Sequence, residues 1–253
     1  MNLDNNLFMY LNLSIPPILP LYNIKRYTIR NYNSYTTTSF LKNRIKGPKT
    51  IDVVEPSEFQ NQVIIGLMLG DISAERYSLN GNTRLRFYQS SINKEYIQYL
   101  YSIFKSYVKT PPKEITRKQS KLTGLVHTDI YFSTLKFSYF NWVREEFYIN
   151  NIKIVPKSIE LNLTPVGLAF WIMDDGSYNK IKSQVILCTD SYTKEEVIFL
   201  ISILTNKFNF SCGLIDLGKG SYRIRINKRS MPDLIKLVKP YFISSMYYKL
   251  GIT

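Results

Sequence analysis

The chain has only two cysteines, one histidine and no long uninterrupted apolar run, and each shortage excludes something. Cys188 and Cys212 form no CxxC pair, so neither a disulfide framework nor a cysteine-built zinc site has a basis. With His127 alone, a multi-histidine metal centre is out of reach. Any hydrolysis must therefore run on carboxylates, lysines and hydroxyls. The longest apolar stretch, residues 7–22, is broken by Asn12, Pro16, Pro17 and Pro20. It falls short of the roughly 18 residues that a spanning helix needs, so no membrane partner is expected. Acids are scarce too: 19 Asp and Glu stand against 33 Lys and Arg, a formal charge of +14. On a chain that is 45% hydrophobic and able to bury a sizeable core, that surplus points to a polyanion. Charge alone leaves nucleic acid and an anionic membrane surface open, with nucleic acid ahead. The abundance of Tyr, Asn, Ile and Lys matches AT-rich coding DNA, as in a mitochondrial genome.

The acid shortage is greatest in residues 1–50, where Asp4 is the single acid among seven basic residues. With its scattered arginines and Ser/Thr-rich run at 34–39, this stretch reads either as a basic N-terminal arm or as a mitochondrial targeting segment. The folded region is expected downstream, with a first half over 51–160 and a second over 161–253.

In the first half, Ser57 and Gln60 form a capping box, and Val63, Ile64, Leu67 and Met68 follow at helical spacing as far as Asp71. A hairpin through Asn80-Gly81, an amphipathic helix from Asn93 to Val108, a second hairpin over 114–133 and a helix over 137–148 come next. The pattern then restarts. Thr164 caps a helix with Pro165 at its first position, running to Asp174-Asp175-Gly176. Strand 184–189, helix 193–208 with its Thr193/Glu196 capping box, a hairpin at Gly218-Lys219-Gly220 and a helix from Met231-Pro232 complete it. Internal duplication at this spacing implies two similar modules about a pseudo-twofold axis.

Two helices carry the chemistry: Ile64-Ile65-Gly66-Leu67-Met68-Leu69-Gly70-Asp71 and Leu168-Ala169-Phe170-Trp171-Ile172-Met173-Asp174-Asp175. Each is apolar nearly all round, so each must be buried, most simply against the other. Gly66, Gly70 and Ala169 are the expected small residues of that interface. Side by side, the helices would bring Asp71 and Asp175 together, each at the negative end of a helix dipole. That clash calls for a hard cation with oxygen ligands, typically Mg²⁺.

Taken together, these segments resemble the LAGLIDADG homing endonucleases, specifically the monomeric two-motif type of fungal mitochondrial introns. The strongest are Gly66 to Asp71, Leu163-Thr164-Pro165, Met173-Asp174-Asp175-Gly176, and Lys239-Pro240-Tyr241 through Tyr248-Lys249-Leu250. The resemblance implies an α+β fold of two αββαββα halves whose antiparallel sheets form a DNA-binding saddle. It also implies a mitochondrial monomer that makes a metal-dependent break in both strands of a long double-stranded DNA target. Asp71 and Asp175 match the family's metal-binding acids, and Lys153 and Lys249 match a lysine of each half near the cleavage site. Ile72 in place of the first motif's final glycine, and Phe170 where the first copy has Gly66, imply asymmetric packing and a non-palindromic target.

The strands suit such a role. Strand 83–89 alternates Leu85 and Phe87 with Arg84, Arg86 and Tyr88. Strand 222–228 alternates Tyr222, Ile224 and Ile226 with Arg223, Arg225 and Asn227, followed by Lys228. Both polar faces show almost no acid of their own and suit a nucleic-acid groove. His127 is expected in a first-half strand as a structural or contact residue. The alternative function is a group I intron maturase or organellar splicing factor, in which the same faces hold intron RNA and the acids are idle. A DNA binder without catalysis would leave the paired acids and lysines unexplained.

Overall fold

The computed structural model describes residues 54–78, 80–117, 124 and 126–252. The basic segment 1–50 lies outside them. The first half runs α1 (Glu58–Leu69), β1 (Ser73–Glu75), β2 (Arg84–Ser90), α2 (Lys94–Phe104), β3 (Lys113–Thr116), β4 (Thr128–Ser133) and α3 (Asn141–Phe147). A short ribbon, β5 (Tyr148–Ile149) with β6 (Ile152–Lys153), and a single turn, α4 (Ile159–Asn162), lead onward. The second half repeats the order: α5 (Pro165–Asp175), β7 (Gly176–Asn179), β8 (Gln184–Leu187), α6 (Lys194–Phe208), β9 (Cys212–Gly218), β10 (Ser221–Ile226) and α7 (Met231–Val238). Both halves are αββαββα, and their four-stranded antiparallel sheets have the matching orders β1-β2-β4-β3 and β7-β8-β10-β9.

Local chemistry explains the helix starts. Ser57 Oγ accepts from Gln60 N while Gln60 Oε1 accepts from Ser57 N, and Thr193 and Glu196 repeat the exchange at α6. Thr164 Oγ1 accepts from Gly167 N, with Pro165 in the first turn of α5. Strand alternation sets the sheets. Leu85, Phe87, Val185, Leu187, Ile224 and Ile226 are fully buried, and α2 and α6 pack on the sheet faces they form. Phe87 and Phe132, partners in the β2–β4 ladder, stack with centroids 4.4 Å apart.

Three details differ from the sequence reading. The first hairpin pairs β1 with β2 across a connection of residues 76–83, with Gly81 N bonded to Ser78 O, so Asn80-Gly81 is not a tight two-residue turn. Helix α1 stops at Leu69, two residues short of Asp71, because Gly70 leaves helical geometry at φ −103°, ψ −137°. His127 is exposed just before β4, where its carbonyl accepts from Arg117 N at 2.8 Å.

Among the described residues, no helix is long and apolar enough to cross a membrane, and both cysteines are free thiols.

Candidate active site and nucleic-acid face

Every residue of α1 from Val63 to Leu69, and every residue of α5 from Val166 to Asp174, is buried. A helix buried all round needs an equally apolar neighbour, and each is the other's. The contacts advance in step along the two axes: Thr164 Oγ1 donates to Gln62 Oε1, Gly66 lies on Gly167, and Gly70 lies on Asp174. The helices therefore run parallel and their C-termini emerge together. A Cβ on Gly66 would sit 2.0 Å from Gly167 O, so the backbones touch where both residues lack a side chain. Ala169 is buried in α5, but the close partner across the interface is Gly167, which the motif pattern did not single out.

Each half also reaches over to hold the other's helix. Tyr192 Oη donates to Met68 O (3.2 Å) and Leu69 O (3.3 Å) of α1, and Tyr96 Oη donates to Phe170 O of α5 (3.4 Å). The two lysines act on their own halves. Lys153 Nζ donates to Gly70 O and to Ile72 O (3.1 Å), just past α1. Lys249 Nζ, on a side chain from the 3₁₀ run Ser244–Leu250, donates to Met173 O (2.5 Å) and Asp174 O (2.8 Å) at the end of α5. An ammonium there satisfies orphaned carbonyls and offsets the negative end of the dipole.

Three carboxyls share this junction. Asp175 closes α5, and burial, then the charge of Asp71, pushes it up to about 7 against the opposing pull of Lys153 and Lys249. Asp71 is the most open of the three; partial desolvation raises it while both lysines draw it down. Asp174 is nearly fully enclosed, and burial followed by the two neighbouring acids pushes it well above the carboxylate range. Its Oδ2 accepts from Asp71 N at 2.6 Å and its Oδ1 from Gln89 Nε2 at 2.6 Å. Burial depresses Lys153 to about 8 and lowers Lys249, with the three acids opposing both shifts. Asp174, which the motif pattern does not mark, stands where the first half has Gly70. Among the described residues, no cluster of three or more His, Cys, Asp or Glu side chains completes a metal cage.

The polar sheet faces hold the expected basic residues, but acids come in from neighbouring elements, contrary to the expectation of almost none. The Ser73↔Arg86 register puts Glu75 beside both Arg84 (2.6 Å) and Arg86 (3.5 Å). Arg86 also lies over the rings of Tyr88 and Tyr131, and Tyr88 Oη donates to Asp129 Oδ2 at 2.8 Å. In the second half, Arg223 makes a two-point pair with Asp190 at 2.8 and 2.6 Å, while Arg225 is exposed and lies against Gly213. Asn227 is committed to Ser211 through its Nδ2 and its backbone N, and Lys228 is exposed in the 3₁₀ turn beyond β10.

Two αββαββα halves that bury a helix pair and end it in paired aspartates define a duplicated, carboxylate-based site. The sequence profile of the LAGLIDADG DNA endonuclease family matches residues 61–234, and the chain belongs to that family. Over 194 residues it is 36% identical to the cytochrome b mRNA maturase bI2 of Debaryomyces hansenii, covering 75% of this chain and 72% of that protein. It is 33% identical to the probable intron-encoded endonuclease 1 of Wickerhamomyces canadensis, covering 77% of this chain and 84% of the relative. Among solved structures it is similar to the homing endonuclease I-WcaI bound to its DNA recognition sequence, at TM-score 0.72 and 32% identity. That match covers 78% of this chain and 88% of the other.

Proposed function

We propose that the protein is a mitochondrial, monomeric, Mg²⁺-dependent homing endonuclease that breaks both strands of a long, non-palindromic DNA site. The observation that carries this is the delivery of Asp71 and Asp175, from the ends of two parallel buried helices, into one site beside Lys153 and Lys249, where the charge of Asp71 raises Asp175. The donor set fits Mg²⁺: two hard carboxylate oxygens, each disfavoured in charged form without a cation, leave other coordination positions to water and phosphate. When bound, the ion would polarise the scissile phosphate and activate water for in-line attack. The chain's own groups do the rest. Asp71 and Asp175 hold the site's negative charge, and Lys153 and Lys249 fix the helix ends that carry them. The same ammonium groups stand close enough to the acids to offset charge developing on a phosphate. Arg84, Arg86, Arg223, Arg225 and Lys228 would hold the duplex, with Tyr88 and Asn227 anchoring the network around them.

A second reading, an intron-RNA maturase, is favoured by the maturase named among the relatives. The two readings separate in one experiment. Purified protein is selected against a random duplex library with Mg²⁺, and Asp71→Asn and Asp175→Asn are run beside the wild type. The endonuclease reading expects the wild type to cut a discrete site. Each variant should lose at least about a hundredfold in rate while binding that site with nearly unchanged affinity. No cutting by the wild type, with full splicing activity in both variants, would replace this reading with the maturase one.

A further inference from the structure

The two catalytic aspartates are held in place by different means. Asp175 is the last residue of α5, so its N–H falls within the helical hydrogen-bond ladder. Asp71 lies beyond α1, where no helical carbonyl receives its N–H. The acceptor it uses belongs to the other half: Asp174 Oδ2, at 2.6 Å. Asp174 is itself fixed on all sides. Gln89 Nε2 binds its Oδ1 at 2.6 Å, Asn93 Nδ2 donates to Gln89 Oε1 at 3.1 Å, and Lys249 Nζ holds its backbone carbonyl at 2.8 Å. Gly70 provides the space, since a Cβ there would lie 2.3 Å from Asp174 Oδ2. The reciprocal tie is impossible, because Gly70, at the matching position of the first motif, has no side chain to send back.

We infer that Asp174 is a positioning residue that sets Asp71 from across the interface, so that the two strand cuts depend on it unequally. The inference rests on the endonuclease reading for its consequence in cleavage, but the tie itself is independent of activity. Loss of the acceptor frees the Asp71 backbone and blunts the cut that Asp71 serves, while Asp175, held by its own helix, is disturbed less. The result is an enzyme biased towards nicking one strand.

Two variants test it. Asp174→Ala removes the acceptor. Asp174→Asn keeps one oxygen for the Asp71 N–H, and Gln89 can turn its amide to meet the new NH₂. Cleavage is followed with each DNA strand end-labelled separately. Asp174→Ala should change the ratio of the two strand rates by about tenfold or more, the worth of one hydrogen bond, while affinity for uncut DNA in Ca²⁺ stays within about threefold. Asp174→Asn should keep the ratio within about threefold of wild type. Equal slowing of both strands, as a merely structural lesion would give, overturns the inference, and so does an unchanged ratio in Asp174→Ala. A second measurement needs no cleavage: hydrogen exchange at the Asp71 amide should quicken at least about tenfold in Asp174→Ala and not in Asp174→Asn. Equal protection in both variants refutes the tie. A wild type that cuts no DNA defeats the functional reading alone and leaves the amide result to decide the positioning.

Discussion

Replacing Gly66 by alanine tests the helix junction with one methyl group. The added Cβ would meet Gly167 O at 2.0 Å, Gly167 C at 2.7 Å and Gly167 Cα at 2.9 Å. All three are backbone atoms, so no rotamer change can relieve them. The helices must separate by about 1 Å locally before the contact becomes tolerable. Alanine gains about 1 kcal/mol over glycine inside a helix, but overpacking against rigid backbone costs about 1–3 kcal/mol and more where it parts a buried interface. With a cost at the upper end of that range, because the contact is to rigid backbone, the net loss should be about 2 kcal/mol, or about 4–8 °C in melting temperature for a domain of this size. Gly167→Ala is the control. Its Cβ finds Gln62 O at 3.3 Å and Leu163 Cδ1 at 3.4 Å, contacts that small shifts absorb, so its stability should stay within about 1 kcal/mol of wild type. Thermal unfolding by circular dichroism measures both. Because separation at Gly66 also moves Asp71 relative to Asp175, DNA cutting should fall about a hundredfold with binding retained. A Gly66→Ala protein that melts at or above wild type, or a Gly167→Ala protein equally damaged, would refute the proposed direct backbone contact.

Two further outcomes follow from charge. Asp175 is raised to about 7 in the fold from about 4 when unfolded, so the stability it contributes is fully present below about pH 4 and lost as pH rises through about 7. Metal-free protein should therefore lose melting temperature across that window, Mg²⁺ should restore it at the upper end, and Asp175→Asn should flatten the slope; an undiminished slope in the variant would exclude Asp175 as its source. On the sheet face, Arg225→Ala should weaken DNA binding and lower the salt-dependence slope by about one phosphate contact. Asp190→Ala, which frees Arg223, should tighten binding and steepen the slope in a fluorescence-anisotropy titration; weaker binding would show that Asp190 helps the complex.

What the sequence made legible were features whose causes lie close together in the chain. The capping boxes at Ser57 and Thr193, the Thr164-Pro165 helix start and the alternation of Arg84 with Leu85 each depend on residues within one turn or one strand. The duplicated apolar helices could be paired because a helix buried all round has few other ways to be covered. The hidden features depend on register and on contacts between halves. Glu75 neutralises Arg84 and Arg86 only because of one strand alignment, and Asp190 reaches Arg223 from a loop more than thirty residues earlier in the chain. Nothing local to the motif marks Asp174 beside Asp175; its bond to Asp71 N appears only when α1 is laid against α5. Gly167 escaped notice because lining up the two motifs sets Phe170, not Gly167, against Gly66, whereas helix packing selects residues by facing position.

The Gly70–Asp174 pair bears on why both halves reside in one chain. In a symmetric dimer of one half, the two facing positions would carry the same residue. Two aspartates cannot fit, since even a Cβ on Gly70 would strike Asp174 Oδ2 at 2.3 Å and add a further buried carboxyl to an already repulsive site. Two glycines would fit but would leave the Asp71 N–H without its acceptor where α1 has ended early. Two unlike halves, here joined in one chain, let one half give up the side chain that the other half needs room for. Tyr192 on α1 and Tyr96 on α5 follow the same logic, each half holding the other's helix from a position of its own. The two halves are thus already unlike at the junction of the two helices, as the proposed non-palindromic target requires.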